Sequence, residues 1–151
     1  MTISTKGRYA LRIIIDLAEN GNGTYIPMKQ VAQRQSLSLK YLEHILTILK
    51  QNNIVEGIHG KGGGYKLTRT PKEYTVGEIL RLVEGDLAPV ACLECGAKPC
   101  ENVGQCRTIK MWKDLHNLIN EYFDSITIKD LMQDDLDSLQ KADMSFYSAS
   151  L

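Results

Sequence analysis

Residues 36–67 read SLSLKYLEHILTILKQNNIVEGIHGKGGGYKL, and this stretch decides the fold. Ser38 stands where a helix N-cap belongs, since its hydroxyl can accept from the free N–H groups of a first turn. From residue 39 to residue 51 the apolar residues Leu39, Leu42, Ile45, Leu46 and Leu49 recur on one helical face. The pattern then changes. Ile54-Val55-Glu56-Gly57-Ile58-His59 and Tyr65-Lys66-Leu67-Thr68 are β-prone runs on either side of Gly60-Lys61-Gly62-Gly63-Gly64, which predicts a hairpin. Glycines at such a tip let the backbone lie close against another surface. A nucleotide-phosphate loop is the rival reading of these glycines, and it fails because no Gly-Lys-Ser/Thr sequence and no following helix are present.

Working back from Ser38, Gln35-Ser36-Leu37 reads as a tight turn. A short helix precedes it, with Pro27 in its first turn and Met28, Val31 and Ala32 inward. Before that, Tyr9, Ile13, Ile14, Leu17 and Ala18 predict a helix over 5–20, stopped by Asn20-Gly21-Asn22-Gly23. Working forward, Thr75 and Glu78 have the capping-box spacing and open a helix with Ile79, Leu80 and Val83 inward. A loop over 85–106 follows, and then a long helix from about 108 to 125. Trp112, Leu115, Ile119, Tyr122 and Ile126 are spaced 3, 4, 3 and 4 along it, a coiled-coil stripe that needs a cover. A second copy of the chain is the natural cover, and its own domain is the other.

A helix, a helix-turn-helix and a two-stranded hairpin, in that order, make a winged helix. In that fold the second helix of the motif enters the DNA major groove and the hairpin reaches backbone or minor groove. The expected fold is therefore mainly α with a small β-hairpin wing. It divides into a winged helix-turn-helix domain over 1–84, a cysteine loop over 85–107, a dimerisation helix with a short end helix over 108–132, and a polar, disordered tail over 133–151. Ser38, Lys40, Tyr41, Glu43, His44 and Thr47 are the candidates for base edges, with Glu43 suited to cytosine N4. Lys61 and Gly62 on the tip, with Lys6, Arg8, Arg12 and Lys66, are the candidates for phosphate.

Charge agrees with this division. The 151 residues carry 18 Lys/Arg and 18 Asp/Glu, so the formal net charge is zero. Residues 1–70 nevertheless hold ten Lys/Arg and four acids, while residues 71–151 hold eight and fourteen. A basic half beside an acidic half points to a polyanion partner for the first half. The composition is too apolar for a disordered chain. No apolar run reaches membrane-spanning length. No signal-peptide cleavage pattern follows MTISTKGRYALRIIIDL, which predicts a cytoplasmic protein. No GxSxG or HExxH sequence and no paired acid constellation suggests an enzyme.

All four cysteines, Cys92, Cys95, Cys100 and Cys106, fall in one window of 15 residues. In a cytosolic protein such a cluster reads as a metal or redox site rather than a disulfide framework. Four thiolates suit an iron–sulfur cluster. They also suit structural zinc, although zinc sites usually pair two CxxC knuckles and this chain has one. Thiol redox sensing without a metal is the third reading. His116 lies on the long helix and reads as a satisfied or solvated histidine, whereas His44 and His59 belong to the DNA-facing elements.

The run Ser38-Leu39-Lys40-Tyr41-Leu42-Glu43-His44-Ile45-Leu46, the tip Gly60-Lys61-Gly62-Gly63-Gly64-Tyr65 and Val76-Gly77-Glu78-Ile79, followed by a cysteine loop, resemble the IscR/NsrR/CymR class of bacterial winged-helix repressors over about residues 1–132. The resemblance implies a homodimer, joined through the long helix, that binds a roughly palindromic double-stranded operator. CymR-like members lack the cysteine loop and sense through a partner enzyme, so the chain looks IscR-like. That likeness implies a 2Fe–2S or 4Fe–4S cluster on Cys92, Cys100 and Cys106, and control of cluster-biogenesis genes. A nitric-oxide-sensing or thiol-redox repressor of the same fold, or a zinc-stabilised one, is the alternative. Two departures stand out. The gap between the first two ligand positions is two residues longer than in the usual pattern. Ile109 also replaces the histidine ligand of that subgroup, which makes Cys95 the candidate fourth ligand. In NsrR-like relatives the other subunit's first helix completes the site, a role that Arg8 does not suit.

Overall fold

The computed structural model describes residues 1–132, so the tail expectation lies outside the described residues. Among the described residues there are five α-helices: α1 (Thr5–Gly21), α2 (Met28–Gln35), α3 (Leu39–Gln51), α4 (Val76–Glu84) and α5 (Ile109–Ser125). Two antiparallel strands, β1 (Val55–Ile58) and β2 (Gly64–Leu67), form the hairpin between α3 and α4, with Val55 opposite Leu67 and Ile58 opposite Gly64. No helix among the described residues is long and apolar enough to cross a membrane.

Local chemistry sets the helix ends. Ser4 caps α1 by accepting from the Gly7 N–H at 3.1 Å, and its own hydroxyl donates to Glu84 at 2.6 Å, tying the start of α1 to the end of α4. Ser38 caps α3 by accepting from the Tyr41 N–H. Pro27 is the N-cap of α2, one residue outside the helix, where its missing N–H removes no helical bond. Thr75 accepts from the Glu78 N–H at 3.0 Å, but the Glu78 carboxylate turns to Arg69 instead of closing a capping box. The reciprocal box forms earlier, between Thr70 and Glu73.

One core joins α1, α3 and α4. Ala10, Ile13, Ile14 and Leu17 meet Leu42, Ile45, Leu46 and Leu49, with Ile79 and Val83 closing the other side. Leu39, expected on this inner face, is 43% exposed because the first turn of α3 projects beyond the core. A second cluster of Val76, Leu80 and Leu87 takes Ile119, Phe123 and Ile126, and so seats α5 on α4. Gly77 permits the close crossing, since a Cβ there would overlap the Asp124 carboxylate that pairs with Arg81. The chain then returns: the Val76 N–H donates to the Ile126 carbonyl, the Ile128 N–H to that of Tyr74, and Ile128 is fully buried. The expected short end helix is the single turn Lys129–Leu131.

Tyr74 joins the hairpin to this core. Its ring is fully buried, its hydroxyl donates to the Ile54 carbonyl at 2.9 Å, and it accepts from the Arg69 N–H at 2.8 Å. Tyr74→Phe leaves that half-buried N–H without its acceptor, and a thermal melt should show a loss of about 1 kcal/mol. An unchanged melting temperature would mean that the hydroxyl carries no such role.

Candidate nucleic-acid interface and cysteine loop

The outer face of α3 presents Ser38, Lys40, Glu43, His44 and Thr47 to solvent, with Tyr41 half-buried. Among the described residues the side chains of Lys40, Glu43 and His44 make no hydrogen bond or ion pair, so their polar ends are open to a ligand. Thr47 donates its hydroxyl to the Glu43 carbonyl of its own helix, and the Ser38 oxygen is engaged as the cap. Both keep lone pairs but present less than the sequence suggests.

The wing is fixed at its root. Tyr65 and Ile26 exchange two backbone hydrogen bonds of 2.9 Å, so the segment before α2 acts as a third, one-residue strand. Gly64 makes this approach possible, because any Cβ there would overlap the Ile26 carbonyl. Lys61 and Gly62 lie exposed at the tip. Lys66 does not present a free charge as expected. It pairs with Glu56 at 2.9 Å and lies over the Tyr25 ring, and the Tyr25 hydroxyl donates to the same carboxylate. The hydrogen bond to Glu56 therefore holds the Lys66 ammonium above the usual lysine range. Lys6 and Arg8 sit in the first turn of α1, Arg8 exposed and Lys6 half-buried.

Sequence reading missed the polar clamp behind α2. Asp16 is 3% exposed, and it accepts from Arg34 Nε at 2.9 Å, Arg34 Nη2 at 2.7 Å and Gln35 Nε2 at 2.9 Å. The signal was an acid on the inner face of an otherwise apolar helix. Arg12, expected on phosphate, instead directs Nε to the Gln35 side-chain oxygen and Nη2 to the Gln35 carbonyl.

The cysteine loop runs from α4 to α5 with single helical turns at Ala91–Leu93 and Val103–Gln105. Cys92, Cys95 and Cys100 are exposed and Cys106 is half-buried. Asp86, also unforeseen, anchors the loop: its carboxylate accepts from the N–H groups of Cys95 and Ala88 and lies 3.8 Å from His116 on α5. The Cys95 N–H does most to hold the Asp86 carboxyl below its usual range, with Ala88 and His116 adding to it. The Thr108 hydroxyl and N–H likewise lower the Cys106 thiol. As donors the four thiols fit an iron–sulfur cluster. As placed, no three His, Cys, Asp or Glu side chains among the described residues stand close enough to hold a metal ion.

The stripe on α5 is shifted from its expected phase. Ile119 and Ile126 pack on their own domain, and Trp112 is half-buried. Leu115 and Tyr122 remain exposed, at 38% and 64%, and Met111 and Leu118 join them at 52% and 62%. The outward row is therefore Met111, Leu115, Leu118 and Tyr122, again at heptad spacing.

Fold and site together define a winged-helix DNA-binding protein. The chain belongs to the Rrf2 family, whose model, described as an iron-dependent transcriptional regulator, matches residues 3–134. It is 31% identical over 132 residues to the HTH-type transcriptional regulator IscR of Escherichia coli, covering 87% of this chain and 80% of that protein. Among solved structures it is similar to CymR, the global cysteine regulator of B. subtilis. That match has a TM-score of 0.70 and 34% identity, and it covers 87% of this chain and 95% of that one. It is also similar to T. potens IscR, with a TM-score of 0.67 and 32% identity over 89% and 88% of the two chains. The chain is thus a transcriptional regulator rather than an enzyme.

The open polar ends on α3 and the lone tip lysine lead to separable effects. Glu43→Ala should relax sequence preference in a competition between duplexes. Lys61→Ala should weaken binding to all duplexes alike and flatten the salt dependence by about one unit of slope. Should the two variants exchange these effects, helix and wing have exchanged roles.

Proposed function

We propose that this regulator is a homodimeric repressor of a roughly palindromic operator that senses iron–sulfur status through a cluster held by Cys92, Cys95, Cys100 and Cys106. The observation that carries this reading is the position of the four-thiol loop, which leaves α4 of the DNA-binding domain and enters the outward-striped α5. Likeness to IscR proteins and the family's iron-dependent description support it. When bound, the cluster would supply an iron- and oxidant-responsive link among the four thiolates, in the 2Fe–2S or 4Fe–4S form. The chain's own part is to offer the thiols on an exposed loop whose root Asp86 keeps beside His116. Cys95 stands in for the histidine ligand that Ile109 replaces. The target genes on this reading are those of cluster biogenesis.

A second reading, a thiol-redox sensor, draws on the exposed thiols of the loop and on the lowered Cys106 thiol. Anaerobic purification separates the two. The proposal expects a coloured protein with matching iron and sulfide, lost on Cys92→Ala, Cys95→Ala, Cys100→Ala or Cys106→Ala; a cluster that survives Cys95→Ala overturns the place given to that thiol. Protein that holds only zinc, or that forms a reversible disulfide without iron, overturns the cluster reading.

The second copy is the occupant that suits the outward row of α5, because a heptad row matches its own kind about a two-fold axis. Leu115→Asp with Leu118→Asp places two charges in that seam without touching the α4 contact, and light scattering should then report a monomer. A dimer mass that survives this pair of charges moves the interface elsewhere.

A further inference from the structure

We propose that Arg12 is a positioning residue for sequence reading and not a phosphate ligand. This rests on the reading of the chain as an operator-binding regulator.

The geometry of Arg12 is that of a clamp. Its Nε and Nη2 form a fork on one residue, Gln35, at 3.0 Å to the side-chain oxygen and 3.1 Å to the carbonyl. Gln35 ends α2, and its carbonyl is one of those a helix leaves without an internal partner. The next residue, Ser36, takes a left-handed conformation with φ 54°, and the chain turns there toward α3. The Gln35 amide meanwhile donates to buried Asp16, so Arg12 grips a residue that is itself held to the core. The central carbon of the guanidinium lies over the Tyr9 ring, 4.7 Å from its centre. Tyr9 in turn meets Tyr41 edge to face, with centroids 5.9 Å apart, and Tyr41 lies in the first turn of α3 among the base-facing candidates. One guanidinium thus ties the end of α2, through its fork, to the start of α3, through its contact with Tyr9.

The consequence for DNA follows from how steeply the two kinds of contact depend on geometry. Hydrogen bonds to base edges weaken sharply with misalignment. Attraction to phosphate falls off slowly with distance. A turn that loosens by a fraction of an ångström therefore costs discrimination before it costs general affinity. Lysine cannot replace the two-pronged fork, although it keeps the charge.

The test uses the full chain. Wild-type protein selects a duplex from a random pool. Wild type, Arg12→Lys and Arg12→Met are then titrated with that duplex and with a scrambled one at several salt concentrations. The two variants should lose selected-over-scrambled preference to the same extent, about tenfold if one base contact is lost. The salt slope on scrambled duplex should stay at the wild-type value. Gln35→Met keeps the Arg12 charge and the carbonyl half of the fork but removes the side-chain half together with the bond to Asp16, and should shift preference in the same direction with the salt slope unchanged. If Arg12→Lys behaves as wild type while Arg12→Met flattens the slope by about one, Arg12 is a phosphate ligand and the inference is wrong. Variants that all discriminate as wild type does also overturn it. If wild type itself enriches no duplex from the pool, the operator-binding reading fails, and the inference fails with it.

Discussion

The arrangement of the DNA-facing half depends on one buried carboxylate. Asp16 lies on the inner side of α1, among Ile13, Ile14 and Leu17, where an unpaired charge would be strongly unfavourable. Its two oxygens are met by the fork of Arg34 and the amide of Gln35, both from the last turn of α2. The need to compensate that charge fixes the end of α2 against α1. Breaking a fully buried pair costs about 3–5 kcal/mol, but the Arg34 side chain is 35% exposed, so water screens part of the effect and the lower end applies. The turn at Ser36 and the entry of α3 then follow from where α2 ends.

The wing is positioned by a different route. Its root is held from below by Tyr74 and from the side by Ile26, and neither contact involves the tip. The Glu56–Lys66 pair with Tyr25 stiffens the strands across the exposed face. The tip carries Lys61 on a backbone with positive φ at Gly60 and Gly62. A rigid base and a glycine tip suit an element that follows an irregular phosphate surface.

Much of this was legible in the sequence because local rules and the core pattern agree. Ser38 caps α3, Leu42, Ile45, Leu46 and Leu49 face inward, and the hairpin forms where the period changes. What failed were matters of partnership. Leu39 has helical spacing but sits in a turn that nothing covers. Lys66 and Arg12 look like free cations until Glu56 and Gln35 arrive from elsewhere in the chain. Two members of the α5 stripe, Ile119 and Ile126, meet their own domain, because two apolar rows lie side by side on one helix. Spacing alone does not tell the row that meets Val76 and Leu80 from the row that faces outward. Asp86 gave no local signal, since its partners are backbone groups up to nine residues away and a histidine on another helix. The cysteines suggest metal or redox chemistry by type and spacing alone, while their placement depends on a loop with little regular structure.

That loop has a thermodynamic consequence. Both its ends are anchored without help from sulfur: Leu87 is buried under α4 and α5, and α5 is seated by Ile119 and Phe123. Gathering the thiols therefore brings no distant parts of the molecule together and gains nothing from the fold. It must instead freeze the stretch from Cys92 to Cys106 into one conformation, at about 1–2 kcal/mol per residue ordered. Any group captured there spends part of its sulfur-bonding energy on loop entropy, so its effective affinity is set as much by the residues between the cysteines as by the thiols. Pro99, with φ already restricted, lowers that cost, and Gly96 and Gly104 raise it. Substitutions at these three spacer positions would shift the affinity of the loop for such a group while leaving the four thiols and the outer face of α3 untouched.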